Sequence, residues 1–283
     1  MIPVNNKEMM EEFGVQDAQI DALLEQILDR YGYNFTHYAR PSLKRRINRL
    51  YMLDRFRDFE DFRNRIQYDA DYFRHFVEEI TVNVTEMFRD PHFYRCLRQE
   101  VLPKLAAAPL IRIWHAGCST GEEVFSMAIM LQEAGLLQKS LLYATDINPG
   151  VLEKLRKGIF PLRYMKQFSE NYILSGGTED FSKYYSARYD WAKFDEQLVK
   201  RMVISPHNLA TDRSFNEFQL ILCRNVLIYF NKELQHKALQ LFDDSLEING
   251  YLALGGKENL KYSPIAYKYR QFPDHQRIWK KNI

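Results

Sequence analysis

From Asp17 to about Phe93, apolar residues recur at helical spacing. Ile20, Leu23, Leu24 and Ile27 share one face, and Gly32 stands where that helix would end. Pro41-Ser42 suits the first turn of a second helix, whose apolar stripe is Leu43, Ile47, Leu50 and Tyr51. Aromatics follow at helical spacing (Phe56, Phe59, Phe62, Tyr68, Tyr72, Phe73), and their acidic neighbours mark them as core rather than as a base-stacking platform. After Pro103 the pattern changes. Short β-rich runs, Leu110–His115, Leu141–Thr145, Met202–Ser205, Phe218–Cys223 and Tyr251–Gly255, alternate with helical runs, Glu122–Ala134, Val151–Lys157 and Lys232–Leu246, the last expected to end near Gly250. This alternation predicts an α/β fold on a parallel sheet. A final run, His275–Lys280, is expected to return as an antiparallel strand. The stretch from Gly158 to Arg201 follows neither period and is too long for a strand-to-helix connection. It reads as a small inserted subdomain with β-hairpin character.

Composition narrows the class. The chain has 283 residues, 46% of them hydrophobic, and a net charge of +2. That length accommodates two units, and the near-neutral balance argues against a general nucleic-acid coat. Three scattered cysteines (Cys96, Cys118, Cys223) form neither a disulfide framework nor a four-ligand zinc site, so no metal is expected. The first fourteen residues carry Glu8, Glu11 and Glu12 with no apolar core of a signal peptide, and no run approaches the roughly 18 apolar residues of a membrane span. The expectation is a soluble cytoplasmic protein without direct membrane insertion. Charge is concentrated in one place. Between Arg40 and Arg57 seven basic residues, including Lys44, Arg45, Arg46 and Arg49, face a single acid, Asp54. On a helical wheel Arg45 and Arg49 lie opposite the apolar stripe and Arg46 lies on its flank. This is either a solvated face or a docking surface for an acidic partner.

Candidate chemistry gathers where strands would end. Ile111–Ala116 runs into Gly117-Cys118-Ser119-Thr120-Gly121-Glu122-Glu123, a strand, a glycine turn and a helix start. In an open α/β sheet this turn lies at the switch point where ligands bind. Gly117 and Gly121 would let the backbone approach a ligand. A dinucleotide fingerprint would have glycine at position 119. Two acids at the helix start also repel a pyrophosphate and suit a cationic amine. Asp146, 25 residues beyond Gly121, ends the second strand and is placed for the hydroxyls of an adenosine ribose, with Ile147 beside the adenine. The alternative is a helix cap. Arg224-Asn225 interrupts an apolar run, and burying such a pair without partners costs several kcal/mol, so it faces a ligand or a fixed network. His207-Asn208-Leu209 ends the third strand. Upstream, the polar stretch 81–90 offers Thr85 as a helix cap.

Together these segments resemble the CheR family of S-adenosylmethionine-dependent protein-glutamate O-methyltransferases, which modify bacterial chemoreceptors. The resemblance runs through the basic helix near Lys44–Arg49, TVNVTEMFR (81–89), HAGCSTGEE (115–123), ATDIN (144–148), HNL (207–209), CRNVLIYF (223–230) and GYLALGGKENL (250–260). It implies a class I methyltransferase (Rossmann-like) domain over 101–283, carrying an inserted β-subdomain at about 158–201. An all-α docking domain over 1–80 precedes it, joined by a linker over 81–100 that contributes to the cofactor site. Implied cofactor contacts are Asn83, Thr85, Arg89, Gly117, the loop acid (Glu122 ahead of Glu123), Asp146, Ile147, Asn208, Leu209, Asn225 and Val226. The cofactor is S-adenosylmethionine and the product S-adenosylhomocysteine. Arg89 is the first candidate for steering a carboxylate, and Tyr229 for a wall or donor near the methyl group. Lys44, Arg45, Arg46 and Arg49 would meet the cytoplasmic helical domain of a methyl-accepting chemoreceptor. No nucleic-acid partner is expected, and the chain is expected to be a monomer. In some members of the family the β-subdomain holds a receptor peptide tail. The remaining alternatives are an RNA or small-molecule methyltransferase on the same fold, an NAD-dependent oxidoreductase and a non-catalytic adaptor.

Overall fold

The computed structural model describes residues 15–272 and 276–283. The acidic start of the chain and the first residue of the expected His275–Lys280 strand lie outside the described residues. The chain divides into two compact units. One takes in residues up to Val82 together with Tyr229–Leu234, and the other takes in Asn83–Ile228 and Gln235–Ile283.

The first unit is helical: α1 (Asp17–Tyr31), α2 (Arg40–Leu53), α3 (Phe59–Tyr68) and α4 (Ala70–Ile80). Ile20, Leu23, Leu24 and Ile27 of α1 are buried, and Gly32, at φ 74°, closes the helix by donating its N–H to Leu28 O. Leu43, Ile47 and Leu50 bury the stripe of α2. Asp58 and Asp69 cap α3 and α4 by accepting backbone N–H groups of their first turns. Tyr51, Phe56, Phe62 and Tyr72 form a ring cluster with centroids 5.1–6.3 Å apart along Phe56–Phe62, Tyr51–Phe62 and Phe62–Tyr72. Tyr68 is the exception to the predicted aromatic core, at 76% exposure. The Tyr229–Leu234 segment joins this unit through backbone pairing: Ala39 N donates to Tyr229 O at 2.7 Å and Asn231 N to His37 O at 2.8 Å.

Among the described residues the second unit has ten strands: β1 (Ile111–Ala116), β2 (Ser140–Asp146), β3 (Ile159–Pro161), β4 (Tyr185–Arg188), β5 (Trp191–Phe194), β6 (Met202–Pro206), β7 (Phe218–Cys223), β8 (Leu246–Leu254), β9 (Tyr269–Phe272) and β10 (Ile278–Lys281). Its helices are α5 (Pro91–Cys96), α6 (Leu102–Leu105), α7 (Glu122–Glu133), α8 (Pro149–Lys157), α9 (Met165–Leu174), α10 (Glu196–Val199) and α11 (Lys232–Ser245), the last beginning within the segment that joins the first unit. The main sheet has the order β6-β2-β1-β7-β8-β10-β9. Its first five strands run parallel, and β10 is antiparallel to both neighbours. The chain order reverses between β1 and β7, which puts the switch point there.

Two elements differ from expectation. Gly250 does not follow a helix that runs to Leu246. The helix stops at Ser245, and the strand begins at once. Between the pairs Phe218↔Leu246 and Leu220↔Tyr251 the register slips, with Asn249 at φ 69°. A Cβ on Gly250 would lie 2.9 Å from Glu247 O, so the glycine belongs to a bulge inside β8. The insertion, in turn, is more than a hairpin. β3, β5 and β4 form a three-stranded antiparallel sheet, and α9 lies between β3 and β4 in sequence. The insertion is fastened to the end of α7 through Glu133, which accepts from the Tyr172 and Tyr184 hydroxyls and pairs with Arg98.

Candidate functional site

The loops following β6, β2, β1 and β7 leave the same edge of the sheet, because these four strands are parallel neighbours. At the tip of β1, Gly117 N and Cys118 N both donate to Thr145 O. Gly117 (φ 73°) and Gly121 (φ 95°) are required here by the packing of the loop itself. A Cβ on Gly117 would lie 2.6 Å from the Val226 side chain, and one on Gly121 would lie 2.5 Å from Leu155. Their absent side chains let the β1 loop close onto the β7 loop and onto α8.

Asp146 is buried at the end of β2. One carboxylate oxygen accepts from Ser119 N and the other from Asn148 N, both at 2.9 Å. The cap of α8 is Asn148, which accepts from Gly150 N, so Asp146 is not the helix cap. Burial raises its pKa, and the backbone N–H donors oppose the shift. A carboxylate has about four acceptor sites, so room remains for a further donor. Ile147 beside it is half-buried.

The two loop acids part company. Consecutive helical residues point about 100° apart. Glu123 turns inward to a fixed network, accepting from His115 Nδ1 at 2.9 Å and pairing with Arg224 at 3.4 Å. Burial works against its charge, but His115 and Arg224 more than offset this and lower its pKa. Each of its oxygens already has a charged or imidazole partner within the chain, whereas Glu122 has neither. Glu122 is 7% exposed and accepts from the Thr120 hydroxyl, at 2.6 Å, and from its own backbone N–H. Burial raises its pKa, with no cation to hold the charge. The Ser119 hydroxyl next to it is buried without a partner. A cationic amine with hydroxyl-bearing neighbours is the ligand this donor set fits, as the amino-acid and ribose parts of S-adenosylmethionine would supply.

Arg224, noted in the sequence only as half of a polar pair, proves to be the hub. Its side chain is 4% exposed and lies 4.0 Å from the Phe93 ring centroid. It pairs with Asp90 at 2.7 Å and donates to Arg89 O at 3.2 Å. Through these bonds the 83–90 segment is tied to the end of β7. Within that segment Asn83, Thr85 and Arg89 are half-buried, and the Arg89 guanidinium donates to Val84 O at 3.4 Å. Thr85 caps no helix, because α5 starts at Pro91 behind Asp90. Met87 and Phe88 are buried instead, and Phe88 N donates to Ser126 Oγ. After β6, Asn208 folds its side chain back onto Ala210 N, and Leu209 is buried. After β7, Asn225 and Val226 are half-buried.

The remaining predicted residues belong to the first unit. Tyr229 falls there, whereas Arg89 belongs to the second. Of the basic set, Lys44 pairs with Asp17 at 3.0 Å, and Arg46 is spent on the carbonyls of Glu79 and Thr81 that close α4. Desolvation lowers the pKa of Arg46. Arg45 and Arg49 alone of the four are exposed. Among the described residues no helix is long and apolar enough to cross a membrane.

Comparison with known proteins bears on both units. Residues 18–81 match the all-alpha domain of CheR methyltransferases, and residues 83–275 match the SAM binding domain of the same family. A Pseudomonas putida KT2440 protein, Cher3, named provisionally as a methyltransferase, is 44% identical over 94% of this chain and 97% of its own length. The chemotaxis protein methyltransferase of Listeria innocua is 32% identical over 83% of this chain and 87% of its own. That of Borreliella burgdorferi is 27% identical over 93% and 98%.

Proposed function

We infer the reaction from one premise: the chain belongs to the CheR methyltransferase family, and residues 83–275 are that family's S-adenosylmethionine-binding domain. It transfers the methyl group of S-adenosylmethionine to glutamate side chains on the cytoplasmic helical domain of a methyl-accepting chemoreceptor, forming glutamate methyl esters. The O–CH₃ bond forms as the S–CH₃ bond breaks. A glutamate carboxylate, with pKa about 4.3, is already ionised at neutral pH. No general base is required, and the task left to the protein is alignment, which can lower a barrier by roughly 7–11 kcal/mol.

The chain's own residues divide that task. Glu122 receives the amine and Asp146 the ribose hydroxyls, while Asn83, Thr85, Asn208, Leu209, Asn225 and Val226 line the remainder. Arg89 steers a carboxylate, and Tyr229 bounds the methyl group. Exposed Arg45 and Arg49 attract the acidic receptor helices and speed encounter. Lys44 contributes a charge already shared with Asp17.

The observation that carries this reading is the match, in order, of both units to both domains of one family, with relatives named chemotaxis protein methyltransferase across most of this chain. The test is transfer of labelled methyl groups to membranes containing candidate receptors, followed by mild base. Label released as methanol is the expected result. Label that resists base, or that appears on added tRNA instead, would overturn it. The receptor that takes the label also identifies the pathway served.

A further inference from the structure

A buried acid outside the expected contacts lies beneath one of them. Glu258 is 4% exposed and accepts from three backbone N–H groups: Asn225 at 3.0 Å, Ile228 at 3.3 Å and Gly255 at 2.5 Å. Two of these donors come from the turn after β7, and the third follows β8. Burial raises the pKa of Glu258, and only backbone donors oppose the shift, with no cation among them. Among the described residues this carboxylate forms no salt bridge. What it fixes is the path of the backbone.

The path it fixes is unusual. Asn225 has φ 62°, a left-handed conformation that costs a non-glycine residue on the order of 1–3 kcal/mol and persists only where its surroundings impose it. The approach is also tight. A Cβ on Gly255 would lie 2.7 Å from both Asn225 N and Glu258 Oε2. A glycine at 255 is therefore what allows the acid to reach the strained peptide. A carboxylate suits three converging donors because both of its oxygens accept. The amide of glutamine would set its own N–H groups against one of them.

We propose that Glu258 is a positioning residue, holding the Asn225–Val226 step in the conformation that receives the cofactor and so setting cofactor affinity without touching it. This rests on the cofactor reading above, and the experiment separates the two. S-adenosylhomocysteine affinity by calorimetry, the KM and kcat for S-adenosylmethionine, and the melting temperature are measured for the wild type, Glu258→Gln and Asp243→Asn. Asp243 is an equally buried acid whose partners are Lys268, Lys281 and Tyr269. Glu258→Gln should raise both the Kd and the KM about tenfold, close to 1.4 kcal/mol at 25 °C, with kcat reduced much less. Asp243→Asn should lower the melting temperature and leave the Kd unchanged. If Glu258→Gln lowers the melting temperature but binds S-adenosylhomocysteine as tightly as the wild type, Glu258 is structural only and the proposal falls. If the wild type itself does not bind, the cofactor reading falls first. Should Glu258→Gln not fold, Gly255→Ala, which intrudes on the same contact from the other side, is expected to show the same rise in Kd, and unchanged affinity there overturns the proposal.

Discussion

Replacing Arg224 by alanine should unfasten the segment that carries Arg89, and the structure sets the magnitude. The guanidinium makes two kinds of ion pair. Its partner Asp90 is 58% exposed, so that pair contributes less than about 1 kcal/mol despite its 2.7 Å separation. The Glu123 side differs, because both side chains are largely withdrawn from water, at 4% and 16% exposure. Breaking a buried pair by removing one partner costs about 3–5 kcal/mol, since the survivor is left as an uncompensated charge. His115 still donates to Glu123, which keeps the expected loss near the lower end, about 3 kcal/mol. For a unit of this size that corresponds to a fall in Tm of roughly 6–12 °C. The assay is denaturant unfolding of Arg224→Ala, Glu123→Gln and the double variant. Glu123→Gln removes the charge that Arg224→Ala would strand, so the double variant should lose less than the sum, with a coupling of about 1–3 kcal/mol. Losses that add to within about 0.5 kcal/mol would refute the reasoning, because independent sites behave that way.

Glu122→Gln should weaken S-adenosylhomocysteine binding by roughly ten- to a hundredfold, the loss of a charge-assisted contact of about 1.5–3 kcal/mol. Glu123→Gln should lower Tm and leave that affinity nearly intact, which calorimetry and a thermal scan distinguish. A pH series gives opposite signs for stability and binding. Burial raises Glu122 and Asp146 above their ordinary 4.5 and 3.8, so the folded state holds these protons more tightly than the unfolded chain. The free protein therefore loses stability as pH rises through the window above those values, while affinity for a cationic ligand increases across it. In Glu122→Gln the part of the binding trend due to that residue should vanish. Arg45→Glu with Arg49→Glu should raise the KM for receptor several-fold, most strongly at low salt, with cofactor affinity unchanged. Arg46→Ala should instead lower Tm, because its guanidinium holds the end of α4.

What could be read in the sequence follows from which forces act locally. β7 is buried at all six positions, so Phe218–Cys223 stood out as an apolar run with Gln219 as its one polar residue. The stripes of α1 and α2 were legible for the same reason, since one face of each is dry. Gly250 misled because a glycine after a helical run marks either a helix end or a bulge, and only pairing with β7 decides. The membership of Tyr229–Leu234 in the helical unit depends on backbone bonds to His37 and Ala39, nearly two hundred residues away, which no local pattern carries. The pairing of Arg224 with Glu123 and Asp90 was equally hidden. The cost of burying Arg224 predicted a partner but could not name it. Glu258 lies inside the 250–260 segment that carries the resemblance, but an acid among GGKEN reads as surface until its burial is known.

The strained residues show how these hidden partners work together. Phe88, Asp90, Ser119 and Asn225 have φ of 53°, 60°, 51° and 62°, and all four lie in the segments that bear the candidate contacts. Each is held by a specific group: Ser119 N by Asp146, Asn225 N by Glu258, Phe88 N by Ser126, and Asp90 by Arg224. Without such partners, four left-handed residues at about 1–3 kcal/mol each would relax into ordinary backbone. One of these groups is the buried acid Asp146, and with Glu122 it gives the β1 loop two carboxylates. That choice has a chemical consequence. A pyrophosphate placed at the start of α7 would meet Glu122 and pay a second repulsion for every advantage the helix end provides, whereas a ligand bearing an amine and a sulfonium is attracted by the same groups that shape its site. The anchoring of the loops and the choice of a cationic cofactor over a dinucleotide therefore have a common electrostatic origin.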